Sequence, residues 1–289
     1  MSIRTLLLII LGLPALIVGG AVVLGVKIPV PEWGRDYVLE YTLRGESGPL
    51  DLPTIVGPDD DARPLVVIDA GHGGRDPGSV GEDVREKDVV LAIALAVRDE
   101  LLESGGVRVA MTREDDTIVV LADRPEIARQ LGADLFLSIH ADSAGERSDV
   151  SGASVYTLSN EASSEAAARF AARENAADEV NGVAIEGQSE AVNSILVELS
   201  QQRTQDDATE FAALIEREGQ GRIVFHPQAR RSAALAVLRA PDVPGVLFES
   251  GFVTNQSDRA RLTTEEGRRE YAQVLARAIR VYFARRAEP

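Results

Sequence analysis

The sequence predicts an α/β fold, a single domain whose mainly parallel, twisted sheet is flanked by helices. Three observations carry that prediction. Short apolar, β-branched runs such as Leu65-Val66-Val67-Ile68 have the length and composition of buried strands. Segments with apolar residues at helical spacing lie between those runs, the pattern of βαβ units. The chain has 289 residues, 45% of them hydrophobic, and no cysteine, which suits one sizeable core without disulfides, zinc fingers or thiol chemistry. A net charge of −16 makes nucleic acid a poor partner, because binding phosphates needs a basic surface.

Residues 1–28 are apolar, with no charge between Arg4 and Lys27. The run has the roughly 20-residue length of a spanning helix, more than the roughly 7–15 of a secretory signal's apolar region. It is read as a signal anchor in preference to a cleaved signal peptide. Arg4 ahead of Leu6 to Val26 then places the rest of the chain outside the cytoplasm, tied to the membrane. Residues 29–63 hold Pro29, Pro31, Pro53, Pro58 and the run Asp59-Asp60-Asp61, and read as a linker with one short strand at Tyr37 to Leu43. The folded domain is expected over residues 64–289.

That domain opens with the strand Leu65–Asp69 and a turn rich in glycine, with Gly71, Gly73, Gly74, Gly78 and Gly81. A helix from about Arg85 to Glu103 follows, with Val90, Ile93, Ala94, Val97 and Leu101 on one face and Gly105-Gly106 as its stop. Val107–Met111 reads as a strand, Ala122–Leu131 as a helix and Leu135–Ile139 as a third strand. Gly152–Leu158 reads as a fourth strand at a sheet edge. Residues Asn160 to Glu218, rich in Ala, Glu and Gln, read as a mostly helical insert. Ala236–Leu238 and Gly245–Phe248 are the last expected strands. The final helix is expected from Glu265 to Ala284, with a capping box of Thr263 and Glu266 and a core face of Tyr271, Val274, Leu275, Ala278 and Tyr282.

Residues with chemistry to offer sit at strand ends. The first strand leads into His72, the third ends in His140 and the last ends in Glu249, with Glu86 at the mouth of the first helix. In open α/β sheets the carboxyl ends of parallel strands share one edge, so these four residues should converge. Imidazoles and carboxylates without thiolates suit a hard-to-borderline divalent metal, zinc being the usual one, with a position left open for water. Each residue alone has a plainer reading. A histidine after a strand commonly caps or packs, and a carboxylate at a helix start is favoured by the dipole. His226, in Phe225-His226-Pro227, lies away from these strand ends and is read as structural.

The segments IDAGHGGRDPGSVG, REKDVVLAIA, ADLFLSIHAD and PGVLFESGFVTN occur in this order. From about Leu65 to Phe283 the chain resembles the type 3 zinc-dependent N-acetylmuramoyl-L-alanine amidases of bacterial cell walls. The resemblance implies that His72, Glu86 and His140 bind zinc and that Glu249 is catalytic; Phe248 and Ser250 are mild departures from the family's VLVETGF-type motif. It implies hydrolysis of the amide between N-acetylmuramic acid and the L-alanine of the stem peptide, in periplasmic cell-wall remodelling and daughter-cell separation. A zinc peptidase or deacetylase acting on another cell-wall amide, or a non-catalytic peptidoglycan-binding protein, would be the competing outcomes.

In the insert, residues 160–218, Ala167, Phe170 and Ala171 make an apolar stripe that Glu174 continues. Division-associated members of the resembled family carry here a helical segment that blocks the site, with a glutamate on the open zinc position. An activator protein, itself like a peptidase without activity, displaces it. The stretch Ala172 to Asp178, ARENAAD, makes Glu174 the candidate for that autoinhibitory contact, ahead of Glu165, Glu179, Glu186 and Glu190.

Overall fold

The computed structural model describes residues 50–180 and 194–287. The apolar segment 1–28, the expected strand Tyr37 to Leu43, and Glu186 and Glu190 lie outside the described residues. Among the described residues no helix is long and apolar enough to cross a membrane.

Six strands form the central sheet: β1 (Leu65–Ala70), β4 (Arg108–Met111), β5 (Leu135–Asp142), β6 (Ala153–Leu158), β7 (Phe225–Ala233) and β8 (Gly245–Phe252), in the order β4-β1-β5-β8-β6-β7. β4, β1, β5 and β8 run parallel; β6 is antiparallel to β8 and parallel to β7. A short hairpin, β2 (Val80–Gly81) with β3 (Val84–Arg85), leads into helix α1 (Glu86–Ser104). The central strands β1, β5 and β8 are buried along their whole length, because helices cover both sheet faces.

One face packs α1, α5 (Ser194–Gly219) and α7 (Glu265–Ala287) onto Val66, Ile68, Leu137, Ile139, Val246 and Phe248. The other face carries α2 (Asp123–Gln130) and α3 (Glu165–Glu174), with Ala128, Ala167 and Phe170 against Val67, Phe136, Tyr156 and Leu247. Period-two alternation along β8 therefore sends Val246 and Phe248 to the first face and Leu247 and Glu249 to the second. Residues ahead of β1 are stitched to the sheet margin, where Val56 and Val109 exchange backbone hydrogen bonds of 2.8 Å each way.

Several sequence expectations shift. β6 is interior, because β7, which the sequence did not announce, lies outside it. β7 is polar and contains Pro227, a residue tolerated only where a strand has a free edge. Ala236–Leu238 is a 3-10 turn rather than a strand. Its approach is tied to a side chain instead of a ladder: Ala236 N–H donates to Asn175 Oδ1 at 2.8 Å, and Asn175 Nδ2 donates to the Ala234 carbonyl at 2.8 Å. An additional helix, α6 (Gln256–Thr263), precedes the last one. It occupies the Thr263 hydroxyl, which donates to the Arg259 carbonyl, so Thr264 caps α7 by accepting from Gly267 N–H at 3.2 Å. In the insert, α3 and a single turn α4 (Ala177–Val180) precede α5.

Candidate metal centre

The strand ends are braced before any donor is placed. Asp69, fully buried, accepts from Thr112 Oγ1 (2.7 Å), Ser138 Oγ (2.7 Å) and Arg124 Nη1 (2.8 Å). Burial works to raise its pKa, but these partners outweigh it and hold the carboxyl below the usual range. Arg124 also donates to the Ala70 and His72 carbonyls, and Arg113 to those of Ala70, Gly71 and Lys87. Two buried guanidiniums thus fix the turn that carries His72, whose own backbone is left-handed at φ 59°. Such a conformation in a non-glycine residue persists only where its surroundings impose it. Gly78 lets the turn close, since a Cβ there would lie 2.6 Å from His72 Cδ2 and 2.7 Å from Glu86 Oε2.

Four buried donors then meet. His72 Nε2 lies 3.1 Å from Glu86 Oε1 and 3.4 Å from Glu174 Oε2; His140 Nδ1 lies 3.1 Å and 3.3 Å from the same two oxygens. His72, His140 and Glu174 form a group that could hold a metal ion. Ligands placed tetrahedrally about 2.0–2.1 Å from a metal lie about 3.3–3.4 Å apart, so the four histidine–carboxylate spacings are of the size that shared ligation gives. His72 Nε2 and Glu174 Oε2 have no hydrogen-bond partner, although both are buried. Orphaned lone pairs facing a common point are what a cation would satisfy.

The electrostatics say the same. Burial opposes protonation of His72, yet Glu86, Asp76 and Glu174 outweigh it and raise its pKa well above the ordinary imidazole value. Burial likewise opposes protonation of His140, and Glu174 and Glu86 raise it. Glu86 is held well below the carboxylate range by the histidines, against its own burial, and Glu174 is held down to about 2 in the same way. The four groups together favour positive charge at their centre.

Orientation comes from a second layer. Asp76 Oδ2 accepts from His72 Nδ1 at 2.7 Å, which turns the Nε2 lone pair inward. Glu86 accepts from Ser79 N–H on one oxygen (2.7 Å) and Ala141 N–H on the other (2.9 Å). The sequence reading passed over Asp76, Arg113 and Arg124; a carboxylate four residues after a histidine in a glycine turn was the available signal for the first.

Glu249 stands beside this cluster, paired in register with His140 across β5 and β8. It is fully buried, and neither carboxyl oxygen has a hydrogen-bond partner. Burial first, then the negative Asp142, Glu86 and Glu174, push its pKa well above the usual value. Just beyond it the ladder slips and Ser250 Oγ donates to the His140 carbonyl at 2.7 Å, a bulge that turns the two strand ends relative to each other.

Glu174 reaches the cluster from the last turn of α3, whose stripe of Ala167, Phe170 and Ala171 is buried as expected. Its Oε1 accepts from Arg173 at 3.2 Å, and Arg173 also donates to Asp142 at 2.6 Å. Of the other insert carboxylates, Glu165 is exposed and pairs with Arg169. His226 lies in β7, away from the four donors, and accepts from Gln228 N–H and Arg231.

The family model described as N-acetylmuramoyl-L-alanine amidase, Amidase_3, matches residues 66–281. The N-acetylmuramoyl-L-alanine amidase AmiA of Escherichia coli K12 is 39% identical over 221 residues, 76% of either chain. Among solved structures, N-acetylmuramoyl-L-alanine amidase AmiC2 of Nostoc punctiforme superposes with a TM-score of 0.55 at 30% identity, over 76% of this chain and 97% of that one. The CwlD amidase of Clostridioides difficile, solved in complex with the GerS lipoprotein, shares the fold with a TM-score of 0.57 at 24% identity, over 76% of this chain and 98% of that one.

Proposed function

The chain belongs to the N-acetylmuramoyl-L-alanine amidase family and is an amidase of peptidoglycan, and from that premise we propose a zinc-dependent mechanism with named roles. His72, Glu86 and His140 hold the ion, Glu249 moves the proton, and Glu174 occupies the position that substrate water needs. The observation that carries this reading is the convergence of four buried donors with the His72 Nε2 lone pair left unpartnered among them. Glu86 is grouped with the histidines because two backbone N–H groups fix it, whereas Glu174 arrives on a separate helix.

Zinc, when bound, lowers the pKa of a water from 15.7 toward about 7 and polarises the amide carbonyl. Glu249 accepts the proton of the attacking water on a carboxylate oxygen and delivers it to the amide nitrogen as the C–N bond breaks. Its buried carboxyl has no hydrogen-bond partner, which leaves both oxygens free to take and return a proton. Arg113, Arg124 and Asp69 keep the histidine-bearing turn in place while this happens.

With Glu174 in place the site is closed, and an activator that binds only the open form would raise activity by shifting the population. Residues 1–28 export the domain and anchor it, residues 29–63 act as the linker, and residues 64–289 are the catalytic domain with the insert 160–218 as its gate. The setting is extracytoplasmic wall remodelling and separation of daughter cells. Digestion of purified peptidoglycan tests the reaction. Free stem peptides are expected, lost on chelation and restored by zinc; cut peptides or released acetate would replace the amidase reading by a peptidase or deacetylase.

A further inference from the structure

The second sheet face carries a cation that the catalytic reading leaves unused. Arg231, on β7, is only 8% exposed. Its Nε donates to the Gln228 carbonyl (3.1 Å), one Nη to the Tyr156 hydroxyl (3.0 Å) and the other to His226 Nδ1 (2.7 Å). Its neighbour Arg230 pairs with Glu216, but among the described residues no carboxylate pairs with Arg231. A buried guanidinium normally has an anion, because taking the charge out of water is expensive. In a chain with a net charge of −16, the missing partner is all the more telling.

Tyr156 links this cation to the reaction centre. It pairs across the ladder with Arg231 on one side and with Leu247 on the other, two residues from Glu249 on the same face. Its hydroxyl accepts from Arg231, and among the described residues its own proton has no acceptor. Burial first, and then Glu249 and Asp142, push the phenol up to about 12 even with Arg231 beside it, so it stays a donor at neutral pH. From strand spacings of about 4.8 Å and a two-residue rise of about 6.6 Å, the Cα of Arg231 stands about 12 Å from that of Glu249. That is the span of about three residues of extended chain.

Helix α3 covers Tyr156. The Phe170 ring stacks on Tyr156 at 4.6 Å between centroids, and Arg173 lies 5.3 Å from the Phe170 ring centroid. Moving α3 off the site would therefore uncover Tyr156, whose hydroxyl holds Arg231, together with the reaction centre.

We infer that Arg231 and Tyr156 form a carboxylate-binding subsite for the stem peptide, two or three residues beyond the scissile amide, closed by Phe170 while α3 is docked. The guanidinium's remaining N–H groups and the free phenol proton are the donors, and His226 and Gln228 hold the guanidinium in place. The inference rests on the amidase reading and adds a substrate preference: stems with free carboxylates over stems with the same groups amidated.

The test compares kcat/KM for two soluble muramyl-peptides, one with free stem carboxylates and one with them amidated, using the full chain with and without Glu174→Ala. The free-acid substrate should be preferred. Arg231→Gln should lower the preference ratio about tenfold or more, mainly through KM, and Arg231→Lys should restore part of it. Tyr156→Phe should lower the ratio less. A merely structural Arg231 would lower both rates alike and leave the ratio unchanged, which would overturn the subsite. No cleavage of either substrate by the parent or by the Glu174→Ala protein would instead defeat the amidase reading, and the subsite with it.

Discussion

His72, Glu86, His140 and Glu249 are held from within the sheet, whereas Glu174 is held from the rim. The first four stand on strand ends or on the helix start fed by them, braced by Asp69, Arg113, Arg124 and the backbone N–H groups of Ser79 and Ala141. Glu174 stands on a ten-residue helix. Its docking rests on Ala167, Phe170 and Ala171, on Arg173 with Asp142, on Asn175 with residues 234 and 236, and on Asp178 accepting from Leu121 N–H at 2.9 Å. Burying one phenylalanine is worth about 1.5–3 kcal/mol, and an isolated helix of this length is marginal in water. One half of the site is thus as stable as the fold, and the other is within reach of a binding partner's energy. A ligand at 100 times its Kd contributes about 2.7 kcal/mol.

The largest effect should come from the braced half. Glu249→Gln keeps the shape and removes the proposed proton acceptor, so kcat should fall about 10²–10⁴-fold while zinc content measured by metal analysis stays at the parent level. Loss of zinc along with activity would make Glu249 a ligand and erase the distinction between holding and reacting. One layer out, Asp76→Asn should weaken zinc affinity or activity about 10–100-fold, read by competition with a chromophoric chelator, because His72 loses the carboxylate that orients it. If Asp76→Asn is silent, the bracing does not extend beyond the donors.

The two halves were also unequally legible in the sequence. Leu65–Ile68, Leu135–Ile139 and Gly245–Phe248 are apolar enough to announce buried strands, and residues at the ends of parallel strands must share an edge. The meeting of His72, His140 and Glu249 therefore follows from pattern alone. β7 carries no such signal: FHPQARRSA is polar because one side of it is free, and its strand character comes from β6 rather than from its own residues. Tyr156 and Arg231 were missed with it, since their contact depends on that pairing. Ala236–Leu238 misleads in the opposite sense, an apolar triplet whose backbone is claimed by the Asn175 side chain. Glu174 was visible only as an acid out of place on an apolar stripe, and what it faces depends on how α3 docks.

The smallest effects should come from the rim, and they separate a blocking group from a latch. Glu174→Ala removes the oxygen facing both histidines, so basal hydrolysis without an activator should rise about tenfold, or about 1.4 kcal/mol of lost ion pairing. Arg173→Ala leaves that oxygen in place and removes only the tie to Asp142 and the cation over Phe170. Its side chain is 46% exposed, so solvent screens the pair, and about 1 kcal/mol or less is at stake. Basal activity should then rise no more than about fivefold, and the difference from the parent should shrink in 0.5 M salt, at roughly the 3–10 Å screening lengths of that range. Glu174→Ala should keep its excess in salt, because its partners are buried. If Arg173→Ala lowers basal activity instead, Arg173 contacts substrate in the open form. If both variants rise equally and both excesses vanish in salt, α3 is held by surface charge alone and Glu174 blocks nothing.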